Sequence, residues 1–109
     1  MADRRRLFIA PSAAYDLEEI WLHIADDNRS AARQQVARIL GAADNLRDFP
    51  DMGKTRDRLA SGLRSLIEDP YVIFYYPDPD RIEIVRVFHG RQDIESEMIS
   101  FVRRYFRPS

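Results

Sequence analysis

Three short apolar-rich stretches stand out between Leu63 and Phe88, separated by Asp69-Pro70 and by Pro77-Asp-Pro-Asp. Runs of this length bounded by turn-forming residues predict strands at about 63–68, 71–76 and 81–88. Such tight turns predict antiparallel pairing of consecutive strands. In the last stretch Ile82 and Ile84 are followed by Val85 and Val87, so strict alternation fails. That strand is expected to be buried on both faces or to carry a bulge.

Upstream the apolar spacing becomes helical. Leu17, Ile20, Trp21 and Ile24 fall at i, i+3, i+4 and i+7. They predict a helix capped by Ser12, with acids filling its early turns, running to about Asp27. Asn28 or Ser30 can cap a second helix that carries Val36, Ile39, Leu40, Ala43 and Leu46 and ends at Phe49-Pro50. So short a connection predicts an antiparallel helical hairpin. Gly41 within that helix costs up to about 1 kcal/mol relative to Ala, and close approach of the first helix is the expected reason for it.

Residues 5–10 read as a short strand stopped by Pro11, with its place in the sheet left open, and residues 50–62 read as loop. After Asp93, the positions Ile94, Met98, Ile99, Val102 and Phe106 predict a C-terminal helix with Arg103 and Arg104 in its last turns. The predicted order is β-α-α-β-β-β-α. It describes one α+β domain over residues 1–109, a helical hairpin packed on a small antiparallel sheet, with an extra C-terminal helix.

A chain of 109 residues suits one domain. It has no cysteine, which excludes a disulfide framework or a thiolate metal site, and no metal or other cofactor is expected. The N-terminal apolar stretch, Leu7 to Ala10, is shorter than the roughly 7–15 residues of a signal core, and no run approaches the roughly 18 residues that span a bilayer. No membrane association is expected, and the cytoplasm is the expected compartment.

A net charge of -1 conceals an asymmetry. Residues 7–28 carry five acids and no Lys or Arg, whereas residues 29–64 carry seven Arg and Lys54 against four Asp. All but one of the 17 basic residues are Arg, the side chain whose planar fork matches carboxylates and phosphates. One reading is a solvated helix face with internal ion pairs. The other is a bipolar surface that binds an acidic partner.

Arg64, Arg86, His89 and Arg91 fall on or just beyond the predicted strands, and Arg56 and Arg58 lie in the loop before them. These six are the partner-binding candidates. Metal-free RNA cleavage requires an acid, a base and cations for the phosphorane, and histidine is the natural proton carrier. His89 is the better of the two histidines, because His23 falls on the first helix, away from the basic strands. Arg64 also has an internal reading, in which its partner is Glu68 or Glu83. His89-Gly90-Arg91 can equally be a strand-ending turn.

The ordered set Ala14-x-Asp16-Leu17-x-x-Ile20, Leu46-x-x-Phe49-Pro50-x-x-Gly53, Gly62-Leu63-Arg64, Tyr71-x-Ile73-x-Tyr75 and Ile84-x-Arg86-Val87-x-His89-Gly90-Arg91-x-Asp93 resembles a known family. It looks like the ParE branch of the RelE/ParE superfamily of toxins from bacterial type II toxin–antitoxin modules, over about residues 6–93. The resemblance implies a cognate antitoxin whose C-terminal segment wraps the toxin in a hetero-oligomer. It also implies one of two activities. ParE-like members act against DNA gyrase. RelE-like members cut ribosome-bound mRNA without metal, and here His89, Arg64 and Arg86 would be the catalytic residues. The usual lysine-rich loop is reduced to Lys54, and no aromatic hydroxyl follows His89 closely. The expectation is therefore a binding poison with no catalytic residues. The Arg-rich surface predicts an acidic antitoxin tail, and the unpaired flank of the sheet could take an added strand.

Overall fold

The β-branched and aromatic run from Arg64 to His89 forms the centre of the sheet. In the computed structural model, which describes residues 4–107, the elements are β1 (Arg6–Ile9), α1 (Pro11–Ala25), α2 (Arg29–Asn45), β2 (Lys54–Thr55), β3 (Arg64–Glu68), β4 (Tyr71–Pro77), β5 (Arg81–His89) and α3 (Ile94–Arg104). The extreme ends of the expected 1–109 span lie outside the described residues. Strand order is β1-β5-β4-β3-β2. β3, β4 and β5 pair antiparallel through their tight turns, as expected.

Two features correct the sequence reading. β1 lies parallel to β5, with Leu7 opposite Ile82 and Ile9 opposite Ile84, so the sheet is mixed. The intervening hairpin supplies the long crossover that parallel pairing needs. Within the supposed loop, Lys54 and Thr55 pair with Ser65 and Arg64 to make a fifth strand. Two residues have no period to read.

β5 satisfies both expectations made for it. Residues Ile82 to Val85 are all buried, and Phe74 faces Arg86 while Tyr75 faces Ile84, leaving Val85 as a bulge. The bulge resets the alternation. Ile82, Ile84 and Val87 join the core under the helical hairpin, whereas Val85 and Phe88 join the core on the other face.

On the first face α2 contributes Ile39, Ala43 and Leu46 to a core with Ile73, Tyr75 and Ile84. On the second face α3 inserts Met98, fully buried, against Phe74, Phe88 and Leu63. The apolar stripe of α3 differs from the expected one. Ile99 and Phe106 are exposed, and Phe101 and Tyr105 pack inward instead.

Helix termini also differ. Ala10 occupies the N-cap of α1, Pro11 the first helical position, and no acid lies in the first turn. A ring with fixed φ and no N–H starts the helix without a side-chain cap. Ser12 instead donates its hydroxyl to the Val85 carbonyl at 2.7 Å. Asn28 caps α2 by accepting from the Ala31 amide at 3.0 Å, as expected. Gly41 meets nothing: a Cβ there would have no atom within 4 Å, so close packing of α1 is not its explanation.

Candidate functional site

α1 starts where β1 ends and so covers the part of β5 that β1 does not reach. Two polar side chains close that edge. Ser12 takes the Val85 carbonyl, and Asp16 accepts the Val87 amide at 2.9 Å. The same carboxylate receives a two-pronged fork from Arg86, Nε to Oδ2 at 2.7 Å and Nη2 to Oδ1 at 3.0 Å. Asp16 is 8% exposed, and the Arg86 guanidinium lies over the rings of Phe88 and Phe101. Such bidentate pairs are geometrically specific. Arg86 is therefore engaged inside the molecule, tying α1, β5 and α3 together.

Arg64 projects to the opposite face of the sheet. Its Nη1 donates to the carbonyls of Gly53 at 2.7 Å and Asp51 at 3.2 Å, and Nη2 lies 3.6 Å from the Asp51 carboxylate. The internal partner is thus Asp51 and two carbonyls rather than Glu68 or Glu83. Tyr75, fully buried beside it, donates its hydroxyl to the Pro50 carbonyl and accepts from the Gly53 amide. A Cβ on Gly53 would sit 2.6 Å from that hydroxyl. Burial raises the Tyr75 phenol above its ordinary pKa.

His89 ends β5 opposite Tyr71, with the two rings edge to face at 5.3 Å. Its Nδ1 accepts from the Arg91 amide at 3.0 Å, which leaves Nε2 to carry the proton of the neutral ring. Gln92 donates to the His89 carbonyl at 3.0 Å and closes a strand-ending turn, although Gly90 does not take the positive φ that would require glycine. Arg91 is exposed in that turn.

The three residues of the nuclease reading do not converge. Arg64 and His89 stand opposite Tyr75 and Tyr71, which are four residues apart on β4, or about 13 Å. Arg86 is paired with Asp16. His23, by contrast, is closer to the strands than expected. It lines one groove with His89 and Arg86.

Arg56 and Arg58 do come together, on the second face. They edge an open groove floored by Ile67, Val72 and Phe74 of the sheet and closed by Ile94 of α3. Arg56 donates to the Ser65 hydroxyl at 2.8 Å, whereas the Arg58 side chain is largely exposed, 3.6 Å from Glu95. Ile67 is 70% exposed. β2 pairs only with Arg64 and Ser65, so the outer edge of β3 from Leu66 to Glu68 has no neighbouring strand among the described residues.

A second polar cluster escaped sequence reasoning. Glu83, 2% exposed, accepts from the Tyr105 hydroxyl and from Arg107 Nε at 3.1 Å. Arg107 also reaches Asp78 at 2.6 Å and stacks over Tyr76. Burial, together with the Glu83 carboxylate, pushes the Tyr105 phenol well above its ordinary pKa. The available signal was an acid in the middle of an apolar strand, because a buried carboxylate needs partners. Asp16 gave the same signal from among the apolar positions of α1. Among the described residues, no three His, Asp or Glu side chains gather to hold a metal ion. No helix among them is long and apolar enough to cross a membrane.

A helical hairpin laid on a mixed sheet is a fold that this chain shares with two solved toxin–antitoxin structures. The chromosomal ParDE system from P. aeruginosa superposes with a TM-score of 0.67 at 24% identity, covering 79% of this chain and 96% of that one. The RelBE2 complex from Mycobacterium tuberculosis gives 0.62 at 22% identity, covering 80% and 99%. In sequence, Toxin ParE1 of Mycobacterium tuberculosis is 30% identical over 95 residues, 85% of this chain and 97% of the relative. Toxin RelE2 of Caulobacter vibrioides is 38% identical over 80 residues, 72% and 86%. The family model for the ParE toxin of type II toxin–antitoxin systems matches residues 7–94. The chain belongs to that family and is the toxin component of a type II toxin–antitoxin module. α3 lies almost wholly beyond the matched span.

Proposed function

We propose that this toxin inhibits DNA gyrase by binding it, without bond-making of its own, and that a cognate antitoxin neutralises it. The observation that carries this reading is the dispersal of the nuclease set. Arg86 is held by Asp16, Arg64 is held by the 50–53 turn, and His89 stands about 13 Å along the sheet from Arg64. A phosphorane needs its cations converging on one point. Of the six candidates, the arginines left to grip another macromolecule are Arg56, Arg58 and Arg91. The cytoplasm, where gyrase acts, is then the working compartment.

The antitoxin is expected to place an acidic, apolar tail along the groove edged by Arg56 and Arg58. Its backbone would extend the sheet at the open edge of β3, and its apolar side chains would cover Ile67 and Phe74. A second reading, ribosome-dependent RNA cleavage, is favoured by the 38% identity to a relative named RelE2. Induced expression separates the two. Gyrase inhibition predicts covalent gyrase–DNA complexes and a DNA-damage response while transcripts remain intact. Transcripts cut within codons, with toxicity and cutting lost together in His89→Ala, would overturn the gyrase reading.

A further inference from the structure

The acidic stretch of residues 7–28 faces a groove that the gyrase reading leaves unused. On α1, Tyr15, Glu19 and His23 follow one another a turn apart. Across from them stand Tyr71 and His89, already stacked edge to face, and Glu97 of α3. Past Glu19 and His23 the groove continues along α1 into a shallower depression bounded by Asp26.

Arg86 is the single Lys or Arg on the lining, and Asp16 holds it in a two-pronged pair. Glu19, Glu97 and Asp26 form no ion pair among the described residues. Glu19 accepts only the Tyr15 hydroxyl, and Glu97 only the Gln92 amide. Three carboxylates without a Lys or Arg partner therefore share an open track with the rings of Tyr15, His23 and His89, the last backed by buried Tyr71.

We propose that this groove docks a basic, extended peptide segment of a partner protein. Arginine suits it best, because a guanidinium lies flat on an aromatic face while donating to a carboxylate at its edge. The geometry sets a spacing. Glu19 on α1 and Asp26 at its C-cap are seven residues apart, about 10 Å along the helix axis. A peptide in the extended polyproline II form advances roughly 3.1 Å per residue and returns to the same face every third residue, so two cations three positions apart face both acids. A nucleic acid is repelled by the same carboxylates. The arginine-edged groove on the other sheet face takes the opposite charge, so one small chain has two docking surfaces of opposite sign.

The test uses the purified full chain and a fluorescently labelled peptide of sequence Arg-Ala-Ala-Arg-Ala-Tyr at low salt. Fluorescence anisotropy should report binding. Glu19→Gln combined with Glu97→Gln should weaken it about tenfold, as two partly solvated pairs allow. A charge-matched control, Asp80→Asn combined with Glu95→Gln, should leave it unchanged. Amide shifts in NMR titration should cluster on residues 15–26 and at Tyr71 and His89. Unchanged melting curves for both double variants separate lost binding from lost folding. No detectable binding, equal losses in both variants, shifts centred elsewhere, or displacement by spermidine as efficient as by unlabelled peptide would each overturn the proposal.

Discussion

Asp16 performs two structural tasks with one carboxylate. It caps the free amide of Val87 and neutralises Arg86. Removing one member of a buried pair strands the other without compensation. Asp16→Ala is therefore expected to destabilise the protein by about 3–5 kcal/mol in urea denaturation, and Asp16→Ala with Arg86→Leu by clearly less. Equal losses would mean that the pair is not the source. Tyr105 gives a pH dependence of definite sign. Its phenol binds its proton more tightly in the folded state, so its contribution is complete below about pH 10, the unfolded value, and is lost as pH rises above it. Melting temperature should fall on the alkaline side, and Tyr105→Phe should make that fall shallower. Burial raises the phenols of Tyr71, Tyr75 and Tyr76 too, so part of the fall should remain.

Among the elements, those with a period were legible and those without were not. The predicted strands at 63–68, 71–76 and 81–88 lie within a residue of β3, β4 and β5, because alternation and turn chemistry act locally. β2 was invisible, since two residues pair only because β3 offers an edge. The parallel docking of β1 was invisible for the same reason, being fixed by the crossover and not by its own four residues. Of the candidate site, the arginines and His89 were legible by residue type. Their partners were not, because Asp16 and Arg86 meet across 70 residues of chain. Two element-scale outcomes follow. Gly41 sits mid-helix in open space, so Gly41→Ala should stabilise by about 1 kcal/mol in the same denaturation assay. Ile67 is solvent-facing on the unpaired edge, so Ile67→Lys should leave the melting temperature unchanged and weaken antitoxin-tail binding more than tenfold by calorimetry.

For the whole molecule, the near-zero net charge hides two poles. The arginine-edged groove lies on the α3 side of the sheet, and the carboxylate-lined groove runs along α1. If charge drives antitoxin docking, the affinity of the complex should fall steeply between low and high salt, and a flat response would assign the docking to apolar burial instead. The core is likewise two-sided, with the hairpin covering one sheet face and α3, outside the family span, covering much of the other. The open margin of β3 has a practical side. A short bare strand end with a protruding isoleucine is a template for like to join like. Concentrated stocks of the solitary protein should therefore age into higher oligomers on storage, and stoichiometric antitoxin tail should act as a preservative.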